Sequence, residues 1–157
     1  MRAKGFTLLE LIMALAMSAC LYTIGVMSYS YFVQRNEQRV ILDELKSVIE
    51  YAKMQALILG EPVYLIPLDA SLNWSKGVAL NTWNRKANNM VMHYQWQWNF
   101  HRWDLVWNGA YSANKIIFSP NPVSAISNGR FSLTNQDTHK KTEIILNRLG
   151  RIRVSQS

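Results

Sequence analysis

Between Lys4 and Arg35 the chain carries a single charged side chain, Glu10, and the 24 residues from Leu11 to Gln34 carry none. No other feature limits the possible folds as strongly. At about 1.5 Å of rise per residue, a helix of that length reaches across a bilayer core of roughly 30 Å. The segment therefore predicts one membrane span, with Arg2 and Lys4 on the cytoplasmic side by the positive-inside rule. A carboxylate at Glu10, just inside the apolar run, is costly in lipid unless something neutralises it, which makes it a candidate functional group.

An ordinary secretory signal places a small-residue cleavage site after its apolar core. Here the distinctive junction, Gly5-Phe6, comes before it. The stretch KGFTLLELIMALA closely resembles the class III signal of type IV pilins and pseudopilins, with Lys-Gly, Phe, Thr, Leu, Glu and the apolar run all in register. That resemblance implies a prepilin peptidase that cuts after Gly5, methylation of the new amine on Phe6, and pairing of Glu10 with a neighbouring subunit's amine during assembly. It also implies other pilin subunits as partners and a single-pass protein of the bacterial inner membrane. The C-terminal domain would be periplasmic and would join a fibre or its tip after assembly. The expected organisation is a leader at 1–5, a transmembrane and assembly helix at 6–34, and a soluble globular domain at 35–157.

Beyond the expected span the pattern stays helical. Ile41, Leu45, Val48, Ala52, Ala56 and Leu59 recur at spacings of three and four, which is one face of a helix. Arg39 with Asp43 and Glu50 with Lys53 are spaced to pair on the remaining surface. Gly60 and Pro62 punctuate the end, so one helix from about Phe6 to Leu59 is predicted. Short strand-like runs follow, PVYLIPL, GVALNTW, NMVMHYQWQWNF, NKIIFSP, GRFSL and TEIIL, separated by Asn, Gly, Pro and Ser. In MHYQWQW, Met92, Tyr94, Trp96 and Trp98 alternate with His93, Gln95 and Gln97, as in a half-buried antiparallel strand. The predicted class is α+β, a pilin-like module with a long N-terminal helix packed on a C-terminal antiparallel sheet. The aromatic run around Arg102 and Trp103 admits two readings, a core face against the helix or exposed rings that stack single-stranded bases.

Charge divides the chain unevenly. Residues 70–157 hold eleven Lys and Arg against three acids, a net of +8, whereas residues 1–69 carry a net of −1. Such an excess suits a polyanionic partner, nucleic acid or an acidic membrane surface, or simply a solvated surface. The single cysteine, Cys20, excludes an internal disulfide and cysteine-rich zinc sites. His93, His101 and His139 have no metal-ligand spacing, no cofactor is implied, and a Gly-rich phosphate loop and a nucleophile elbow are both missing, so the chain does not read as an enzyme.

The C-terminal half resembles the FimT/GspH branch of minor pilins, through FSPNP, SNGRFSL and the terminal pair EIILN and GRIRV about a glycine-containing turn. GspH-type members of that branch are minor pseudopilins of type II secretion, and FimT-type members are associated with type IV pili and DNA uptake. A Gly-Arg-x-Arg pattern is implicated in DNA binding in the latter, and Gly150, Arg151, Ile152 and Arg153 match it. If residues 151–154 are extended, Arg151 and Arg153 share a face about 7 Å apart, near the spacing of successive phosphates, and each guanidinium can grip a phosphate bidentately. Gly150 tightens the turn, and Arg148, Lys140 and Lys141 would widen the patch. Contacts of this kind hold DNA without reading its sequence. The expected function is thus a minor type IV pilin that binds DNA non-specifically in natural transformation. The alternative is a GspH-like structural subunit that primes pilus or pseudopilus assembly, and a third possibility lays the basic face on acidic lipids. Arginines on an edge strand can also serve only to block edge-to-edge pairing.

Overall fold

The computed structural model describes residues 7–85, 88–98, 100–121, 127–148 and 150–156, and within these the side chains of 24–28, 30 and 156 are not described. Gly5, Phe6 and the expected leader 1–5 lie outside the described residues. The chain divides into two compact units, Met1–Asp43 and Glu44–Ser157.

Helix α1, Leu8–Leu59, runs through the first unit and into the second. Its start is set by a reciprocal cap. The Glu10 N–H donates to Thr7 Oγ1 at 3.3 Å, and the Glu10 carboxylate accepts from the Thr7 N–H at 3.0 Å and from its hydroxyl at 3.1 Å. Two otherwise orphaned donors of the first turn are thereby satisfied, the T-x-x-E form of a capping box. Glu10 therefore has a local structural role, whatever else it contacts. In this unit the large apolar side chains Leu8, Leu9, Leu11, Ile12, Met13, Leu15 and Leu21 are all more than half exposed. Among the described residues no helix is long and apolar enough to cross a membrane. The expected span at 11–34 includes positions 24–28 and 30, whose side chains are outside the description.

In the second unit α1 continues as an amphipathic helix. Leu45, Val48, Ile49, Ala52 and Ala56 are buried, and burying each of the larger aliphatic ones contributes about 1.5–3 kcal/mol. Leu59, assigned to the same stripe from its spacing, is instead 43% exposed, because the helix ends there. Gly60 follows at φ 66°, the left-handed conformation that closes many helices.

The described strands form two four-stranded antiparallel sheets. The first has the order β3-β2-β1-β5, from β1 (Val63–Pro67), β2 (Gly77–Asn84), β3 (Asn89–Gln97) and β5 (Ile116–Phe118). The second has the order β4-β6-β7-β8, from β4 (Trp103–Gly109), β6 (Gly129–Asn135), β7 (Lys141–Leu146) and β8 (Ile152–Gln156). A 3-10 turn at Trp74–Lys76 and a bridge from Asn73 to Val106 join the two sheets. The α+β class expected from the sequence is the one found.

Strand β4 was not among the runs picked out above, although Trp103, Leu105 and Trp107 alternate in it with period two and all three are buried. Trp103 is thus a core residue and offers no ring to a base. The aromatic strand also departs from simple alternation. A register shift between Leu80 and Asn81 pairs Tyr94 with Leu80 but Met92 with Asn81, which takes Met92 out of the face shared by Tyr94 and Trp96. Tyr94 and Trp96 pack on Tyr51 of α1, each with its ring centroid 5.4 Å away. Both rings thus lie against the helix, but β3 is an edge strand exposed along nearly its whole length and Tyr94 is 52% exposed, so the strand is not the buried core face that was expected. In the core beside the second sheet, Phe131 packs at a tilt on Trp107 with centroids 4.6 Å apart and meets Trp74 edge-on at 5.3 Å.

Candidate nucleic-acid interface

The C-terminal hairpin is built from β7 and β8. Its turn is closed by the Gly150 N–H donating to the Asn147 carbonyl at 2.9 Å, and Gly150 is held at φ 69°. The Asn147 side chain accepts from the Arg151 N–H at 2.8 Å, and the Asn147 N–H donates to the Arg151 carbonyl at 3.1 Å. Lys53 of α1 reaches the Gly150 carbonyl at 3.4 Å, which ties the turn to the helix. Gly150 is buried, so its place in the site is to shape the backbone.

Arg151 lies one residue before β8, and exposure then alternates along the strand. Arg151, Arg153 and Ser155 are exposed, whereas Ile152 and Val154 are half-buried on the side of the core. The two arginines stand on the outer face of the sheet, on an edge strand. Among the described residues neither guanidinium forms an ion pair.

Cross-strand register extends this face inward. Arg153 stands opposite Ile145, Ile145 opposite Arg130, and Arg130 opposite Asn108. Arg130 is therefore on the same face as Arg153, two strands or about 10 Å away. Its guanidinium lies 3.3 Å from the Glu143 carboxylate. Glu143 also takes Lys141, at 3.6 Å. Both pairs are largely solvent-exposed and worth little in stability.

The structure does not gather all the basic residues expected of the patch. Lys140 and Lys141 lie at the start of β7, and the turn with Arg148 and Arg151 lies at its other end, about 20 Å along the strand. The lysines flank the far side of the face, beyond Glu143. Arg148 remains at the turn, and its guanidinium contacts the Tyr111 hydroxyl at 3.5 Å. A shallow hollow of about 660 Å³ opens beside it, lined by Asn128, Gly129, Arg130, Ile145, Leu146, Asn147 and Arg148. Sequence reasoning did not reach Tyr111 or Asn128. The only signal for Tyr111 is an aromatic residue among small ones in GAYSAN, where a ring has no core to join.

The guanidiniums of Arg153, Arg151 and Arg148, with that of Arg130 beside them, are the groups of this face that can meet phosphates. Among the described residues no cluster of His, Cys, Asp and Glu is placed to hold a metal ion. The Nε2 of His93 is instead 2.6 Å from the Thr82 hydroxyl across the first sheet. Arg102 lies 3.9 Å from Asp137.

Comparison with known proteins gives two family matches. The family described as type II transport protein GspH matches residues 42–150, and the prokaryotic N-terminal methylation motif matches residues 1–22. Among solved structures, the type IV minor pilin FimU of Pseudomonas aeruginosa strain PAO1 is 15% identical, with a TM-score of 0.61 over 79% of this chain and 92% of FimU. A second crystal form of FimU gives 14% identity and a TM-score of 0.55, over 72% of this chain and 88% of that one. The minor pseudopilin EpsH from the type 2 secretion system of Vibrio cholerae is 10% identical, with a TM-score of 0.54 over 76% of this chain and 97% of EpsH. At such identities the likeness is one of fold. No curated protein matches the chain significantly.

Proposed function

The chain belongs to the GspH family of type II transport proteins, a minor pilin or pseudopilin by fold and N-terminal motif, and we propose that it captures DNA non-specifically for uptake. The observation that carries this reading is the placement of Arg151 and Arg153 on the exposed face of an edge strand, without acidic partners among the described residues, beside Arg148 and in line with Arg130. Two arginines spaced like successive phosphates can hold a nucleic-acid backbone and leave its sequence unread. Gly150 brings the strand back at the turn that presents them. Lys140 and Lys141 are outlying members of the same face, with Lys141 partly occupied by Glu143.

In this reading the prepilin peptidase removes residues 1–5 after Gly5 and Phe6 becomes the methylated N-terminus. Residues 6–34 anchor the chain in the inner membrane as a single pass, with residues 35–157 in the periplasm until assembly. Glu10 meets another pilin subunit's amine in the fibre while keeping its bond to Thr7.

The test is a titration of labelled duplex DNA with the detergent-solubilised chain at two salt concentrations, beside the Arg151→Gln/Arg153→Gln double variant. Binding that weakens with salt and is lost in a folded double variant supports capture by these arginines. Equal binding by both proteins, or by neither, removes them from that role.

The family description itself favours a second reading, a structural minor pseudopilin that primes assembly in type II secretion. The β8 edge would then meet another subunit, and the double variant would fail to co-purify with partner pilins while DNA binding was absent from the start.

A further inference from the structure

Beside the arginines stands a feature that duplex capture does not use. Tyr111 is 74% exposed. It is also held on a fixed frame. On one side the Ala110 N–H donates to the Asn128 carbonyl at 2.9 Å, and on the other the Trp107 indole N–H donates to the Ser112 carbonyl at 3.0 Å. Close packing beneath the turn leaves it no slack. A Cβ at Gly109 would come within 2.3 Å of the Ser112 carbonyl oxygen and 2.4 Å of the Trp107 ring, and one at Gly129 within 2.5 Å of the Asn108 carbonyl oxygen. The ring's own hydroxyl contacts Arg148, which lines the hollow.

Cationic rim and exposed ring lie within one short stretch of surface: guanidiniums for phosphate and a flat apolar face for a base. A paired base within a duplex offers none of its flat face to a protein, whereas a base of a single strand offers all of it.

We infer that this corner of the second sheet is a single-strand site, in which Tyr111 stacks one base and Arg148 and Arg151 hold the flanking phosphates. The inference rests on the DNA-capture reading and adds to it a preference for single-stranded DNA or a frayed end over duplex. Stacking on a fixed ring discriminates weakly among bases, so the site stays tolerant of sequence.

The test measures fluorescence anisotropy of a labelled oligo(dC) and of a duplex of equal length, with the full chain in neutral detergent. The wild type is expected to bind the single strand more tightly. Tyr111→Ala should weaken single-strand binding about 10-fold and change duplex binding less than about twofold, since each stacked base is worth about 1–3 kcal/mol. Tyr111→Phe, which keeps the ring and loses the hydroxyl, should stay near wild type on both probes. Equal losses of both probes in Tyr111→Ala, or no loss in either, would overturn the single-strand site while the Arg151→Gln/Arg153→Gln result still upheld the basic patch. Failure of the wild type to bind either probe would overturn both readings together.

Discussion

Gly150 shows how much one residue can decide. At φ 69° it occupies a conformation that costs an L-residue about 1–2 kcal/mol, and its N–H closes the turn that presents Arg151. Gly150→Ala is therefore expected to lower the urea midpoint by a change of about 1 kcal/mol at unchanged m-value, a shift read directly from equilibrium unfolding. Asp69 makes a pH-dependent prediction. The Lys76 ammonium at 2.6 Å, first, and the Ser71 N–H lower its carboxyl pKa to about 2. A folded-state pKa below the ordinary value of about 4 means that its contribution is fully present above that value and is lost as pH falls through about 2. The stability of Asp69→Asn should accordingly change less than that of the wild type between those limits, as thermal melts across the acid range would show. Single residues were legible in the sequence where one strand period sufficed, as with the shared face of Arg151 and Arg153. Tyr111, Asn128 and Arg130 were not, because their proximity to Arg148 and Arg153 depends on how β4, β6 and β7 lie side by side. Lys140 and Lys141 were grouped with the arginines by their closeness in sequence, and a strand of six residues separates them in space.

At the scale of elements, α1 was the most legible. Its spacing of apolar residues and its Gly-Pro stop depend only on local chain geometry, and the helix ends at Leu59 as expected. The buried side of its second half includes Ala52 and Ala56, both essentially inaccessible, so the backbone approaches the sheets closely there. Ala52→Leu would have to place three more carbons where no space exists, and should destabilise the domain by about 1–3 kcal/mol. Leu57→Ala, at a position 66% exposed on the same helix, should change stability by less than about 0.5 kcal/mol. Thermal denaturation of the two variants side by side checks the face assigned to each. The strands were legible in part, with β4 missed among the eight described. Strand β4 escaped because its polar and aromatic neighbours blur a W-x-L-x-W alternation, and the irregularity at Leu80/Asn81 shifts the register of β3 in a way that only pairing with β2 reveals.

For the whole molecule the controlling quantity is the division of charge, −1 over residues 1–69 against +8 over residues 70–157. A surface that binds DNA through its charges releases counterions as it does so, and the number released measures how many cations take part. With Arg130, Arg148, Arg151 and Arg153 each meeting one phosphate, log affinity for duplex DNA should fall against log salt with a slope near roughly −3.6. Changing Arg151 or Arg153 singly to Gln should reduce that slope by about one and leave sequence preference unaltered. Arg130→Gln should do less, because Glu143 already neutralises part of its charge at 3.3 Å in the free protein. The lysines at the far end of β7 provide the internal comparison. If Lys140→Gln and Lys141→Gln shift the slope as much as the arginines do, DNA lies along the full face of the sheet. If they leave it unchanged while Arg151→Gln lowers it, the contact is confined to the Gly150 turn. A slope that no single arginine variant alters would assign the edge arginines to blocking strand pairing, and the double variant should then gain a tendency to self-associate that light scattering would detect.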